Sequence, residues 1–365
     1  MAFSDREILY KSRLGRPVIH RAMPELPHER HTYGLAPPME DHEPLIEPSP
    51  RNLNPAGFDL TVGFAVVESD TLVHSISEQE FMAMKPKVLS SDKPHVLQHD
   101  KYGRKIYYIT SMERLNLSPN LEALVDARST TGRTGCMCHD VGQTYRGEKI
   151  IAVQPYAFPI QITPGKTRLS QAIIRYAHSD FIAFDKLKQH PENIALTRNK
   201  RDVFNDSLHP SGLVMTLATN LVYAAKESKE PIDMDAAETL DPNEYFEIIE
   251  GNSHFTMDAS RFYLAGTRET ITLGNVCGRI SRETEMSGTG LWSHFAGYIQ
   301  PGFAGPITLE CYSFVNRTMK KGMPVGFIIF DEVEGHIQQP YKGSYQNQVV
   351  PRLPKMFKEF SKTKV

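Results

Sequence analysis

The sequence predicts a mainly β protein built as two tandem modules with only short helices. Three observations carry this prediction. Short apolar segments alternate with polar residues at a period of two, and Gly, Pro, Asn and Asp punctuate them. Three segments of the first half also recur, in the same order, in the second.

The alternation is clearest in two places. In FPIQITPG (158–165), Phe158, Ile160 and Ile162 alternate with polar or turn residues ahead of a Pro-Gly turn. In PITLECYSF (306–314), Ile307, Leu309 and Cys311 alternate with Thr308, Glu310 and Tyr312. Successive strand residues face opposite ways, so Leu309 is predicted to face the core, with Glu310 on the other face beside Thr308 and Tyr312.

The recurrences sharpen the organisation. NPAGFDLTVG (54–63) is echoed by HPSGLVMTLATN (209–220), residues 109–135 by 264–290, and 158–174 by 316–330. The preserved order points to modules spanning residues 1–178 and 179–365, joined around 178–205. Helical signals are few. Ser4 stands three residues before Glu7, a capping-box spacing, and residues 179–196 are predicted to hold a second helix that Pro191 either ends or directly follows.

Composition bounds the function. A chain of 365 residues, 40% hydrophobic and 23% charged, reads as a soluble globular protein with a large core. A formal charge of −2 excludes a wholesale basic surface and argues against nucleic acid as a partner, so an anionic ligand must be held by a few placed Arg or Lys. MAFSDREILYKSRLGR is no signal peptide, and apolar runs such as VGFIIF (325–330) are too short to cross a bilayer. The four cysteines, Cys136, Cys138, Cys277 and Cys311, have no disulfide-framework spacing. A cytoplasmic protein with reduced thiols, and no membrane partner, is expected.

Three segments carry chemistry. DARSTTGRTG (126–135) sets Arg128, Ser129 and Arg133 among small residues, offering guanidinium forks, a hydroxyl and accessible N–H groups to phosphate oxygens. Ordinary turns have a similar make-up. PGFAGPITLE (301–310) places Glu310 on a strand beyond a Pro-Gly turn, where partial burial would raise its pKa into the range of a general base; a solvated surface Glu is the plain alternative. QQPYKGSYQNQ (338–348) is a polar, aromatic segment suited to closing over a nucleotide, or else plain surface. Zinc is not expected. Cys136-Met137-Cys138-His139 lacks the usual spacing, and His190-Pro191-Glu192 has no P-C-x-x-C to accompany it.

Taken together these segments resemble the dCTP deaminase family, relatives of the trimeric dUTPases. The matching stretches are S-D-R-E-I at 4–8, R-S-T-T-G-R-T-G at 128–135, P-G-F-A-G-P-I-T-L-E at 301–310 and P-Y-K-G-S-Y-Q-N-Q at 340–348, spread over most of the chain. The resemblance implies a β-clip, a dUTPase-like distorted barrel, in a long form with two modules, and a homo-oligomer. It implies metal-independent deamination of dCTP to dUTP and ammonia, with Mg2+ arriving on the triphosphate. Glu310 would act as general base and proton shuttle, Ser129 and Arg133 would orient water and acid, and Arg128, Thr130 and Thr131 would hold phosphates. Thr308 and Leu309 on the hairpin strand, and Tyr341, Lys342, Tyr345 and Gln348 in the tail, complete the implied substrate contacts.

Departures from the family pattern shape the expectation. The second module's loop reads R-E-T-E-M-S (282–287), where Glu283 and Glu285 would repel a triphosphate. The first module, after its own loop, has no P-G-x-x-G hairpin and no strand acid. A composite site is therefore expected, with Ser129 and Arg133 from one module and Glu310 from the other, within a chain or between chains. Gln300 replaces the acid of the family's D-P-G turn, and Ser344 replaces a lysine, leaving one sugar and one phosphate contact open. A dUTP diphosphatase, a bifunctional deaminase-diphosphatase and a non-catalytic nucleotide-binding regulator are the alternatives.

Overall fold

Five long strands arise from the alternating segments of the first half: β1 (Gly57–Ser69), β2 (Ile106–Asn116), β3 (Leu121–Ala127), β4 (Arg146–Pro155) and β5 (Arg168–Tyr176). Five more arise from the second: β6 (Gly212–Ala225), β7 (Phe262–Leu273), β8 (Val276–Ser281), β9 (Ala304–Ser313) and β10 (Pro324–Glu334). The computed structural model describes residues 2–3, 19–21, 53–117, 121–141, 146–176, 181–187, 193–251, 253–281, 290–335 and 337–360. The expected Ser4–Glu7 cap, the loop 282–287 and His190–Glu192 lie outside the described residues.

The two sets of strands pair alike. In the first, β1 pairs with β2 and β5, β3 with β5, and β2 with β4, all antiparallel. In the second, β6 pairs with β7 and β10, β8 with β10, and β7 with β9, again antiparallel. Each echoed segment of the sequence falls on corresponding strands. Register shifts between Val62 and Val66 in the first set, and between Ala218 and Tyr223 in the second, bend these long strands so that mainly β sheets curl into barrel-like form.

The repetition reaches single hydrogen bonds. Glu113 accepts from the Thr61 N–H at 2.6 Å and its hydroxyl at 2.8 Å, while Glu269 accepts from the Thr216 N–H at 2.8 Å and its hydroxyl at 2.6 Å. The Ser111 hydroxyl donates to the Glu113 carbonyl and accepts from the Lys149 N–H at 2.9 Å. The Thr267 hydroxyl donates to the Glu269 carbonyl and accepts from the Ile307 N–H, also at 2.9 Å. A buried carboxylate thus pins the first barrel strand to the second in each half, satisfying groups that would be costly to bury unpaired.

The halves share an interior. The largest apolar cluster joins Phe58, Leu115 and Phe158 to Phe246, Phe262 and Phe357, and a smaller one joins Ala56 and Ile173 to Cys277 and Tyr298. Arg175 of β5 bridges to Asp331 of β10 at 3.2 Å. Met356 and Phe357, near the C-terminus, are buried in the larger cluster. All four cysteines are buried free thiols.

One expectation fails. Among the described residues of 179–196 only Phe184–Leu187 is helical, and Ile194–Arg198 is a strand pairing with β7. Ile194 and Leu196 are buried while Ala195 is exposed, so tertiary burial selects the two-residue period over the helical one. The helix Glu78–Ala83 was not anticipated, although Ser77 and Glu80 form a complete capping box. Among the described residues no helix is long and apolar enough to cross a membrane.

Glu269→Ala strands the two donors of part-buried Thr216 and the Arg198 guanidinium, which otherwise donates to the buried Glu269 through Nε at 2.9 Å. It should cost about 3 kcal/mol in urea unfolding. Because the halves share apolar clusters, the loss should appear as one shifted transition. A variant losing only its second half would contradict the shared core.

Candidate functional site

The polar loop leaves β3 at Arg128, whose N–H donates to the Leu169 carbonyl at 3.0 Å, then makes a single helical turn over Ser129–Gly132. This tethers Ser129 and Arg133 to the first half. In the second half, Pro301 and Gly302 turn the chain into β9. Gly302 has φ +83, and a Cβ there would lie 2.6 Å from Pro340 Cβ and 2.9 Å from the Tyr341 nitrogen, so both the turn and the close passage of the tail require glycine. The tail is strapped along this hairpin. The Tyr341 N–H donates to the Pro301 carbonyl at 2.9 Å, and the Asn347 N–H to the Ala304 carbonyl at 2.8 Å. The Gln348 carboxamide donates to the Pro306 carbonyl.

Loop, hairpin and tail line one cavity of about 490 Å³ within a single chain, with Ser129, Arg133 and Glu310 all on its wall. Glu310 lies against the loop: a Cβ built on Gly132 would fall 2.7 Å from both of its carboxylate oxygens. Its Oε2 accepts from the N–H groups of Phe295 at 2.8 Å and Ala296 at 2.7 Å. Among the described residues no protein donor reaches Oε1 or the Ser129 hydroxyl, which leaves both for a ligand or water. Burial pushes Glu310 up to about 7, against the opposing pull of the Ala296 N–H, Arg133 and the Phe295 N–H. A carboxyl poised there exchanges protons readily near neutral pH.

Arg133 is fixed by the tail. Its guanidinium lies 3.7 Å from the centroid of the Tyr345 ring and donates to the Arg352 carbonyl at 2.7 Å. Among the described residues its buried Nε has no protein partner. Thr130 and Tyr345 share a hydroxyl hydrogen bond of 3.0 Å, so the tail of one half closes on the loop of the other.

A second carboxylate supports the arrangement. Asp126 of β3 accepts the Gly297 N–H at 2.9 Å across the halves, fixing the segment whose preceding N–H groups hold Glu310. Burial pushes Asp126 up to about 6.

The other expected residues divide. Arg128, Thr130, Thr308, Tyr341, Lys342, Tyr345 and Gln348 line the cavity, Tyr345 and Gln348 as buried groups bonded to protein. Leu309 does not line it: its side chain is fully buried in the second half's apolar cluster, as the alternation itself requires. Thr131 is fully buried outside the cavity wall, its hydroxyl without a protein partner. Gln300, in place of the expected acid, accepts from the Ala56 N–H at 3.3 Å and donates to Gln171 at 2.9 Å. Sequence reasoning missed Asp59, Gln171 and Lys355, all on the cavity wall, because none belongs to a motif and only the barrel brings them there. Asp59 receives Arg128 at 3.0 Å and Arg168 at 3.1 Å.

The first half carries no counterpart of the acid. Lys149 and Ile307 occupy corresponding places, each donating its N–H to the Ser111 or Thr267 hydroxyl. Three residues on from each stand Ala152, opposite Tyr108, and Glu310, opposite Leu264. Among the described residues no group of three or more His, Cys, Asp or Glu is placed to hold a metal ion.

Comparison with known proteins agrees with the duplication. The sequence profile of the family described as "dCTP deaminase-like" matches residues 35–176 and again 187–333. The chain belongs to the dCTP deaminase-like family. Among curated members, the "dCTP deaminase, dUMP-forming" of Dictyoglomus turgidum is 30% identical over 183 residues, which are 48% of this chain and 93% of that one. The protein of the same name from Mycolicibacterium gilvum is 30% identical over 171 residues, 44% of this chain and 90% of that one. That from Persephonella marina is 28% identical over 148 residues, 39% and 78% of the two chains. Each aligns over less than half of this chain, as a two-module family member requires. The crystal structure of 2'-deoxycytidine 5'-triphosphate deaminase from Agrobacterium tumefaciens shares the fold, with a TM-score of 0.68 at 18% identity over 80% of this chain and 93% of that one.

The acid's burial has a measurable consequence. Between its ordinary value of 4.5 and its folded value of about 7, Glu310 keeps in the folded state a proton that the unfolded state has released. Its contribution to stability therefore falls as pH rises through that window, by on the order of 3 kcal/mol in all. Glu310→Gln removes the titration, so its stability relative to the parent should rise from pH 5 to pH 8 and then level off. A difference in unfolding free energy that stays constant with pH would contradict the elevated value.

Proposed function

We propose that this chain deaminates the cytosine ring of dCTP, releasing ammonia, at the cavity between its two modules. The observation that carries this reading is the Glu310 carboxyl, with one oxygen held by two N–H groups and the other left to the cavity beside Ser129 and Arg133. The names of the curated relatives support the substrate.

In this reading Oε1 of Glu310 removes a proton from water as the water oxygen adds to C4 of the ring, and the proton passes to N3. The carboxylate then takes the proton of the new hydroxyl and delivers it to the 4-amino group. Ammonia leaves and the C4 carbonyl of uracil forms, so water and amine exchange with no net change in protons. Ser129 and the spare Nε of Arg133 orient the water and stabilise charge developing on it. Mg2+ carried on the triphosphate would offset part of its charge. Asp59 on the wall is held by Arg128 and Arg168.

The product separates two forms of the reading. Deamination alone leaves dUTP, whereas the relatives' names describe dUMP, which requires loss of pyrophosphate as well. Chromatography of the nucleotide products, with ammonia and pyrophosphate assayed together, distinguishes them.

Glu310→Gln should lower ammonia release at least a thousandfold while dCTP still binds, since the amide keeps the acceptor for Phe295 and Ala296 but cannot shuttle protons. Turnover near the parent's would remove Glu310 from the chemistry. Gly132→Ala tests position without altering a titratable group. Its methyl falls 2.7 Å from both carboxylate oxygens and should reduce turnover more than tenfold, with KM less affected.

A further inference from the structure

The cavity wall includes a cation that the motifs did not single out. Lys355 is partly buried on it, and among the described residues its ammonium has no carboxylate within 4.0 Å. Burial drives the pKa of this ammonium down, the guanidinium groups of Arg128 and Arg168 add to the fall, and Asp235 and Asp59 oppose it more weakly. Both carboxylates are already engaged. Asp59 receives the two arginines, and Asp235 accepts the Thr167 hydroxyl at 2.6 Å. Arg128 and Lys355 thus share the cavity wall with Asp59, a carboxylate that Arg128 and Arg168 already engage, so an anion entering there meets cationic groups.

The main chain at Lys355 is held in place. The Lys355 N–H donates to the Tyr345 hydroxyl at 3.3 Å, and its carbonyl accepts from the Glu238 N–H at 3.0 Å. The next two residues, Met356 and Phe357, are buried in the apolar cluster shared by the halves. The backbone that carries this side chain is therefore anchored.

We propose that Lys355 is an anion-binding residue of this cavity that, with Arg128, takes the outer phosphates of the nucleotide and sets the preference for a triphosphate over a monophosphate. This rests on the nucleotide reading above and extends it to a position outside the family motifs. Ser344, on the same wall, brings no charge.

The test is equilibrium binding of dCTP, dCMP, deoxycytidine and inorganic tripolyphosphate to the full chain, comparing the parent with Lys355→Met and Lys355→Arg. Met keeps the apolar stem and removes the charge, and Arg keeps the charge, so a folding defect common to both is recognised by its failure to follow charge. Lys355→Met should weaken dCTP and tripolyphosphate ten- to a hundredfold, leave deoxycytidine within twofold, and raise KM far more than it lowers kcat. Lys355→Arg should retain most of the affinity. Unchanged discrimination between dCTP and dCMP in Lys355→Met overturns the proposal. If the parent binds tripolyphosphate through Lys355 but not dCTP, the anion site stands and the nucleotide reading falls. If the parent binds neither, both fall.

Discussion

The site depends on one carboxyl group kept in a buried place by donors that its own strand cannot provide. Glu310 projects from β9 into a region where ionisation is penalised, and the Phe295 and Ala296 N–H groups offset part of that penalty. Those N–H groups are aimed by a segment that Asp126 of the other module fixes through Gly297. Gly132, also from the other module, leaves room for the carboxylate where any side chain would collide with it. The acid's pKa, its orientation and its access to the cavity are therefore all properties of the contact between modules. A module isolated from its neighbour would keep the residue and lose the environment that raises its pKa.

Much of this was legible in the sequence because barrel strands announce themselves by alternation. The period of two in PITLECY fixed which face Glu310 would occupy, and the three echoed segments anticipated strand pairs that recur down to the Thr–Glu hydrogen bonds. The same alternation placed Leu309 in the core, and only the family pattern drew it toward the substrate. The stretch 179–196 misled because charged and apolar residues there fit a helical period equally well. Pairing with β7 then chose the strand, an interaction no local window contains.

The residues that escaped notice share a cause. Asp59 lies between Phe58 and Leu60, Gln171 between Ser170 and Ala172, and Lys355 in a Pro- and Lys-rich tail. None has a local pattern. They become cavity residues because β1, β5 and the C-terminal strap converge on the polar loop. Asp59 in particular gains its meaning from Arg128, 69 positions later, and from Arg168, 109 positions later. Long-range charge pairing of this kind is invisible to spacing rules.

The asymmetry between the modules follows from the same electrostatics. At the place corresponding to Glu310, the first module has Ala152, fully buried among Ala65, Phe81 and Tyr108. A carboxyl there would lie in an apolar cluster, and ionising it without donors would cost several kcal/mol. The strand position tolerates an acid only where a flanking segment turns its N–H groups inward and a facing loop leaves a gap. The second module meets both conditions by drawing on the first. In a chain with two barrels and one shared interior, the physical requirement for burying a base is fulfilled at one of the two equivalent positions, and the other is best served by a small apolar side chain that packs.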